Sequence, residues 1–325
     1  MTDAALKSAP RRTALGERIL REWDAAVVPL IFVAMLAVFY SLDANFLSKT
    51  NIVNVLNQVS ILAVVTLGAS IVIFTGGFDL SAGAVVALSG VIGALVVDET
   101  GSVAQAVAVG IGGGVLVGLV NGFFVGYLHV SPLIVTLGAL NICRGLALLL
   151  SGGSPVYSFP LSYTAFGTSR FLDLPLLAWI AFGLFVAMAL VMRFTPLGLY
   201  IYAVGGNPRA ARISGINVPA IRMLAFAVSG GCCGLAGMLL ASRTGGGEPS
   251  AGFAYELEAI AAVILGGAAL SGGEGRLWRS LMGILMLAVL GNGLNIVGIH
   301  PHWKGVAIGA ILVIAASLDA AKRRR

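Results

Sequence analysis

The sequence predicts an all-α integral membrane protein of about ten transmembrane helices, several of them broken or re-entrant at glycine-rich segments, with both termini cytoplasmic. Three observations predict it. Hydrophobic residues fill 58% of the 325 positions and charged residues only 10%, against roughly 45–50% and roughly 25% in soluble domains. Mean hydropathy is +0.98, so lipid is the solvent for most of the chain. Glycine occurs 44 times, as suits membrane helices that pack backbone to backbone or break along a pathway. Ten spans of about 20 residues take up roughly 200 positions. That leaves no room for a large soluble catalytic domain.

Residues 1–24 are polar and carry Lys7, Arg11, Arg12, Arg18 and Arg21. They are too long and too charged for a simple cleaved signal and read as a cytoplasmic tail. Residues 25–320 form a single transmembrane domain, and the basic residues 321–325 follow as a cytoplasmic C-terminus. The apolar segments are 25–42, 52–75, 80–97, 103–128, 131–150, 174–193, 219–242, 256–270, 278–298 and 304–320. The second runs into the third through GGFDLSAG (76–83), and the eighth into the ninth through GGAALSGGEG (266–275). The stretches 66–83 and 256–273 echo one another weakly, each ending a helix with a Gly pair and resuming with Ser and Gly.

Charge tests the count. With ten spans and the N-terminus inside, fifteen of the 20 basic residues fall in inside segments: five in the N-tail, Arg193, Arg209, Arg212, Arg222, Arg276, Arg279 and the terminal Lys322 to Arg325. Lys49, Arg170, Arg243 and Lys304 fall outside, and Arg144 within a span. This asymmetry obeys the positive-inside rule. An odd number of spans would put one basic terminus on the wrong side.

The chain has no G-x-x-x-x-G-K-[ST], so it carries no phosphate-binding loop for ATP hydrolysis. No H-E-x-x-H or G-x-S-x-G occurs, and His129, His300 and His302 make a poor metal set. Cys143, Cys232 and Cys233 lie in apolar stretches without ligand spacing and read as small core residues. The glycines Gly76, Gly77 and Gly83, and likewise Gly266, Gly267, Gly272 and Gly273, let the backbone leave helical geometry between spans. Asp79 sits inside the first break. It reads either as a structural cap for the next helix or as a group lining a pathway. Asn121, Asn141, Asn292 and Asn295 are polar within or beside apolar stretches; each is an interhelical hydrogen-bonding group or a contact to a transported molecule. Arg144 is the costliest residue, at ~2.5–3.5 kcal/mol or more at mid-bilayer, and should face a polar interior, pair with an acid or snorkel. Glu256 and Glu258 mark the start of a span, where they suit the helix dipole.

The longest inside segment is 194–218. Its Asn207-Pro208 pair is a helix-start signal, and Pro208 to Ser214 reads as a two-turn basic helix ended by Gly215. Such a helix rests on anionic headgroups or docks into a cytoplasmic partner.

GGNPRAARISGINV (205–218) resembles the cytoplasmic loop of the permease subunits of bacterial ABC importers for monosaccharides, the ribose/xylose/arabinose type. GGFDLSAG (76–83), GLVNGFFVGYLHVSPLIVTLGAL (118–140), RGLALLLSGGSPV (144–156), ELEAIAAVILGGAALSGGEG (256–275) and NGLNIVG (292–298) are similar to the same family in the same order. The resemblance covers about residues 25–320.

The resemblance implies an inner-membrane permease with no catalytic residues and no cofactor or metal of its own. ATP and Mg would be bound by a separate cytoplasmic ATPase subunit. A second permease copy, a periplasmic sugar-binding protein and the bilayer complete the expected partners, with no nucleic acid. Asn207, Arg209, Ala210, Ala211, Arg212 and Gly215 match the coupling loop that would dock into the ATPase, with Arg209 where an acidic residue often opens that motif. Asp79, Asn121, Arg144, Asn292 and Asn295 are the pathway candidates. Other cargoes on the same architecture are a polyol, a nucleoside, an autoinducer-2-type furanosyl compound or a branched-chain amino acid. A stand-alone secondary transporter would want buried acids and no coupling loop, and an intramembrane enzyme would want a catalytic set.

Overall fold

The computed structural model describes residues 14–300 and 302–323, and side chains from residue 28 onward apart from a few near the C-terminus. The tail segment 1–13, with Lys7, Arg11 and Arg12, lies outside the described residues, as do Arg324 and Arg325. Thirteen α-helices are described: α1 (Ala14–Leu42), α2 (Lys49–Phe74), α3 (Ala82–Thr100), α4 (Val103–Gly126), α5 (Pro132–Leu150), α6 (Leu161–Thr168), α7 (Leu176–Phe194), α8 (Pro196–Gly206), α9 (Pro208–Ile213), α10 (Val218–Thr244), α11 (Tyr255–Leu265), α12 (Leu277–Ile296) and α13 (His302–Arg323). A 3-10 turn (Ala44–Leu47) precedes α2. A two-stranded antiparallel hairpin, β1 (Arg170–Phe171) and β2 (Leu174–Pro175), precedes α7.

Seven of these helices, α2, α3, α4, α5, α7, α10 and α12, are long and apolar enough to cross a membrane. Of the three other expected spans, α1 and α13 are apolar over Val28–Leu42 and His302–Ile314 among the described residues, and only α11 differs, with 11 residues, about 16 Å of rise. The span expected over 256–270 is therefore a half-length helix, because Gly266 and Gly267 end it early. The segment 194–218 also holds more structure than expected: α8 fills its first half, Pro196 starting it and Asn207 ending it. The short α6 and the hairpin were not foreseen.

The core forms around α2. From Val59 to Phe74 every residue of this helix is buried, because the sequence is apolar all round. Its polar residues satisfy themselves. Thr66 and Ser70 donate their hydroxyls to the carbonyls of Leu62 and Thr66 at 2.8 and 2.7 Å.

A second seam joins α4 and α10 through glycine. Gly110, Gly114, Gly118, Gly122 and Gly126 recur every four residues, so they form one stripe along α4. A Cβ added at Gly114 would lie 2.9 Å from the Gly234 Cα, at Gly118 2.9 Å from the Ala227 Cα, and at Gly122 2.6 Å from the Met223 Cα. The two backbones touch, running antiparallel. This is how membrane helices associate without a hydrophobic drive between them. The outer sides of α4, α5 and α7 carry bare apolar residues such as Leu116, Ile134, Leu149 and Phe182, as lipid-facing surfaces should.

Candidate functional site

Two ends of the bundle can be told apart along α10, whose 27 residues span about 40 Å. At its C-terminal end Arg243 donates from Nη1 to the Asn57 carbonyl at 3.0 Å, which places the start of α2 there. At its N-terminal end lies α9.

The α9 helix is built as its sequence dictates. Asn207 caps it, its Oδ1 accepting from the N–H groups of Arg209 (3.1 Å) and Ala210 (3.0 Å). Pro208 takes the first helical position, where no N–H is needed. Gly215 follows at φ +83, in the left-handed region that favours glycine. Arg209, Ala210, Arg212 and Ile213 are exposed, while Ala211 is buried against its own chain. Consecutive helical residues point about 100° apart, so only Ala210 of the expected Ala pair is on the open face. Ile213 is 88% exposed, an apolar knob on a basic helix that the sequence reading did not single out. His129, Arg209, Arg212 and Arg222 line a shallow basic cup beside it.

The helix is tied to the core through glycine. In α8, just before α9, a Cβ at Gly205 would fall on the Phe74 carbonyl oxygen at the end of α2. The turn after α11 meets the same point. The Gly273 N–H donates to the Phe74 carbonyl at 3.0 Å, and Cβ atoms at Gly272 and Gly273 would come within 2.5 Å of Gly76 N and the Gly206 Cα. Tyr202 stacks on Phe74, ring centroids 5.4 Å apart, and donates its hydroxyl to the Gly275 carbonyl at 3.0 Å. The two glycine breaks that echo in sequence thus pack on each other and on α8. Gly266 serves elsewhere: its Cα lies against the backbone of Arg279 and Ser280 in α12, and a Cβ there would sit 2.6 Å from the Arg279 carbonyl oxygen.

The first break holds a buried polar network. Asp79 Oδ1 accepts from the Ser81 N–H (3.0 Å) and hydroxyl (2.6 Å), and Oδ2 from the Ser229 hydroxyl of α10 (2.7 Å). Asn121 of α4 donates to the Ser81 hydroxyl oxygen at 3.1 Å. All four residues are 4% exposed or less. Nearby, Gly77 packs on Val72 and Phe226, and a Cβ at Gly83 would overlap the Gly252 carbonyl. Asp79 therefore fixes the turn just before α3 without capping a helix N–H, and ties the break to α10 through Ser229 and to α4 by way of Ser81. Ser229 was not among the expected residues; a lone Ser in a glycine-rich helix gave no signal.

Arg144 does not meet Asp79. Its Nη1 donates to the carbonyls of Pro249 and Ala251, both at 2.7 Å. It fastens the loop between α10 and α11, whose carbonyls lack helical partners. Asn141 donates only to the Leu137 carbonyl of its own helix.

The remaining two candidates lie at the other end. Asn292 exchanges amide hydrogen bonds with Asn51 at 2.8 and 2.9 Å. Asn292 and Asn295 line a cavity with Gln58, Glu258 and Lys304. Beside it, Asn51, Asn54, Asn57, Arg170 and Arg243 form a wider polar cup. The amides of α2 were missed because they precede an apolar run, although Asn51, Asn54 and Gln58 share the three- and four-residue spacing of one helix face.

A helical membrane protein with broken helices, a basic helix exposed at one end and a polar cup at the other has the build of a solute transporter component. The chain matches the family described as branched-chain amino acid transport system / permease component over residues 51–316, and it belongs to that family. It is a multi-pass membrane permease and not an enzyme. It is 36% identical to the ribose import permease protein RbsC of Escherichia coli (strain K12) over 94% of this chain and 95% of that protein. The RbsC protein of Bacillus subtilis (strain 168) is 37% identical over 90% of this chain and 92% of its own length. The galactose/methyl galactoside import permease protein MglC of Escherichia coli (strain K12) is 34% identical over 94% and 96%. No solved structure matches the chain.

Proposed function

We propose that this protein is the membrane permease of an ATP-driven importer for a monosaccharide of the ribose type. The observation that carries the coupling half of this reading is α9: a capped, basic helix, exposed at the bundle end, held through Gly205 against the ends of α2 and of the turn before α12. Arg209, Ala210, Arg212 and Ile213 face outward and would seat in a cleft of a cytoplasmic ATPase subunit; Asn207 and Gly215 fix the helix ends. ATP and Mg belong to that subunit. Closure of the ATPase pair would move α9, and the glycine contacts would pass the movement to α2, α11 and α12.

The sugar half is supported by relatives that import ribose, galactose and allose. Three lines of argument extend the reading. The basic asymmetry favours ten crossings with both termini cytoplasmic, α11 and its preceding loop together making one of them. The pathway forms with a second copy of the chain. A periplasmic binding protein delivers sugar to the end bearing the polar cup, so the permease itself needs little affinity. In the pathway, Asp79, Asn121 and Arg144 hold the broken segments in place, and Asn292 and Asn295 face the solute.

The test is a cross-link. A single Cys at Ala210, in a background lacking Cys143, Cys232 and Cys233, is combined with a Cys in the cleft of the cognate ATPase, in inverted membranes. An ATP-sensitive cross-link is expected. Its absence in a complex that co-purifies and transports would remove α9 from the coupling role; absence of ATP-dependent ribose, galactose or allose uptake would remove the sugar assignment.

A further inference from the structure

We propose that the cavity between the third turn of α2, the start of α11 and the facing ends of α12 and α13 is a solute subsite for a neutral, polyhydroxylated molecule. The proposal rests on the monosaccharide reading above and deepens it. The cavity measures about 110 Å³, far beyond the ~10–15 Å³ that one water requires. Its lining combines the polar Gln58, Glu258, Asn292, Asn295 and Lys304 with apolar residues such as Leu62. A sugar ring has the same two characters, hydroxyls at its edge and C–H groups on its faces.

The polar groups are positioned. Lys304 donates to Glu258 at 2.7 Å, the two side chains being 32% and 13% exposed. The lysine reaches its partner by lying across Gly291, where a Cβ would sit 3.1 Å from the Lys304 Cδ. The pair leaves the cavity without net charge, so a free anion or cation gains nothing by entering. Each partner keeps spare capacity, because an ammonium has three donors and a carboxylate about four acceptor sites. Asn292 is oriented by its exchange with Asn51. The amides of Gln58 and Asn295 are exposed to solvent, and among the described residues neither is tied up in a hydrogen bond within the chain. Each presents a donor and an acceptor, the combination that a hydroxyl uses in full. The cavity shares Gln58 and Asn292 with the polar cup, so solute arriving at that end has a continuous polar route into it.

The experiment is a protection assay on the permease–ATPase complex in membranes. Asn295→Cys is introduced into the background lacking the three native cysteines, and its rate of reaction with a membrane-impermeant maleimide is measured with D-ribose, D-galactose, D-allose or leucine. At about ten times the half-protecting concentration, the transported sugar should slow labelling roughly tenfold by mass action. It should leave Leu172→Cys in the exposed hairpin unaffected, and adding Gln58→Ala should weaken protection. Unchanged labelling in a complex that imports one of these sugars would overturn the subsite and leave the importer reading standing. Protection by leucine alone would overturn the neutral polyhydroxylated class. Neither uptake of nor protection by any aldose would overturn both readings.

Discussion

The Gly273 N–H donates to the Phe74 carbonyl at 3.0 Å, and this bond joins the end of α2 to the turn that leads into α12. Gly205 presses on the same carbonyl from α8. Three chain turns therefore meet within backbone contact directly above α9. A side chain at Gly205 would force them apart. Gly205→Val should cost ~1–3 kcal/mol by overpacking and should abolish uptake more completely than it lowers expression. Gly206→Ala, where the nearest atom to a new Cβ is 3.9 Å away, should retain most uptake. The comparison is read by sugar uptake normalised to protein in the membrane.

Adjacent glycines of α4 should behave in opposite ways. Gly112 and Gly113 have nothing within 4 Å of an added Cβ, whereas Gly114 faces the Gly230 and Gly234 backbone. Alanine is about 1 kcal/mol better than glycine in a helix interior, so Gly112→Ala should be neutral or raise the melting temperature in detergent. Gly114→Ala must push α4 off α10 and should lower it by several degrees. Equal effects at the two positions would mean that the seam does not hold the fold.

Much of this was legible in the sequence. The apolar runs place most long helices, since a membrane leaves the chain few alternatives to a helix. Asn207-Pro208 and Gly215 mark α9 because caps are local chemistry. What local chemistry does not carry is which breaks meet. That Asp79 bonds locally to Ser81 ahead of α3 was readable from their spacing, although it caps no N–H of the helix itself, and its partner Ser229 lies 150 positions away and has no pattern of its own. The half-length of α11 was masked because apolar residues continue past Leu265, and only the positive φ of Gly267 stops the helix.

The Asp79 network should be sensitive to loss of one donor. Ser229→Ala would leave Oδ2 of a buried carboxylate without its hydroxyl, a penalty of ~1–3 kcal/mol. A loss of thermal stability is expected, with Ser229→Thr retaining more of it because the hydroxyl is kept. If Ser229→Ala melts with the parent while uptake falls, the network serves transport directly and its structural role is minor.

The capping of α9 gives the sharpest test of coupling. Asn207→Ala removes the acceptor for two backbone N–H groups at a cost of ~1 kcal/mol. A six-residue helix has little propensity to survive that alone, because short helices depend on caps and packing. Gly215→Arg acts at the other end. A side chain there meets no neighbour but must adopt φ near +83, which is unfavourable by ~1–2 kcal/mol for an L-residue. Both variants should insert and bind the ATPase yet hydrolyse ATP without matching uptake. Asn207→Asp should restore coupling, since its carboxylate caps the same N–H groups. The measurement is the ratio of sugar imported to ATP hydrolysed in proteoliposomes. A parent-like ratio in both Asn207→Ala and Gly215→Arg would mean that α9 does not transmit the power stroke. A lowered ratio rescued by Asn207→Asp ties the stroke to the helix's own geometry, as distinct from the charge of its arginines.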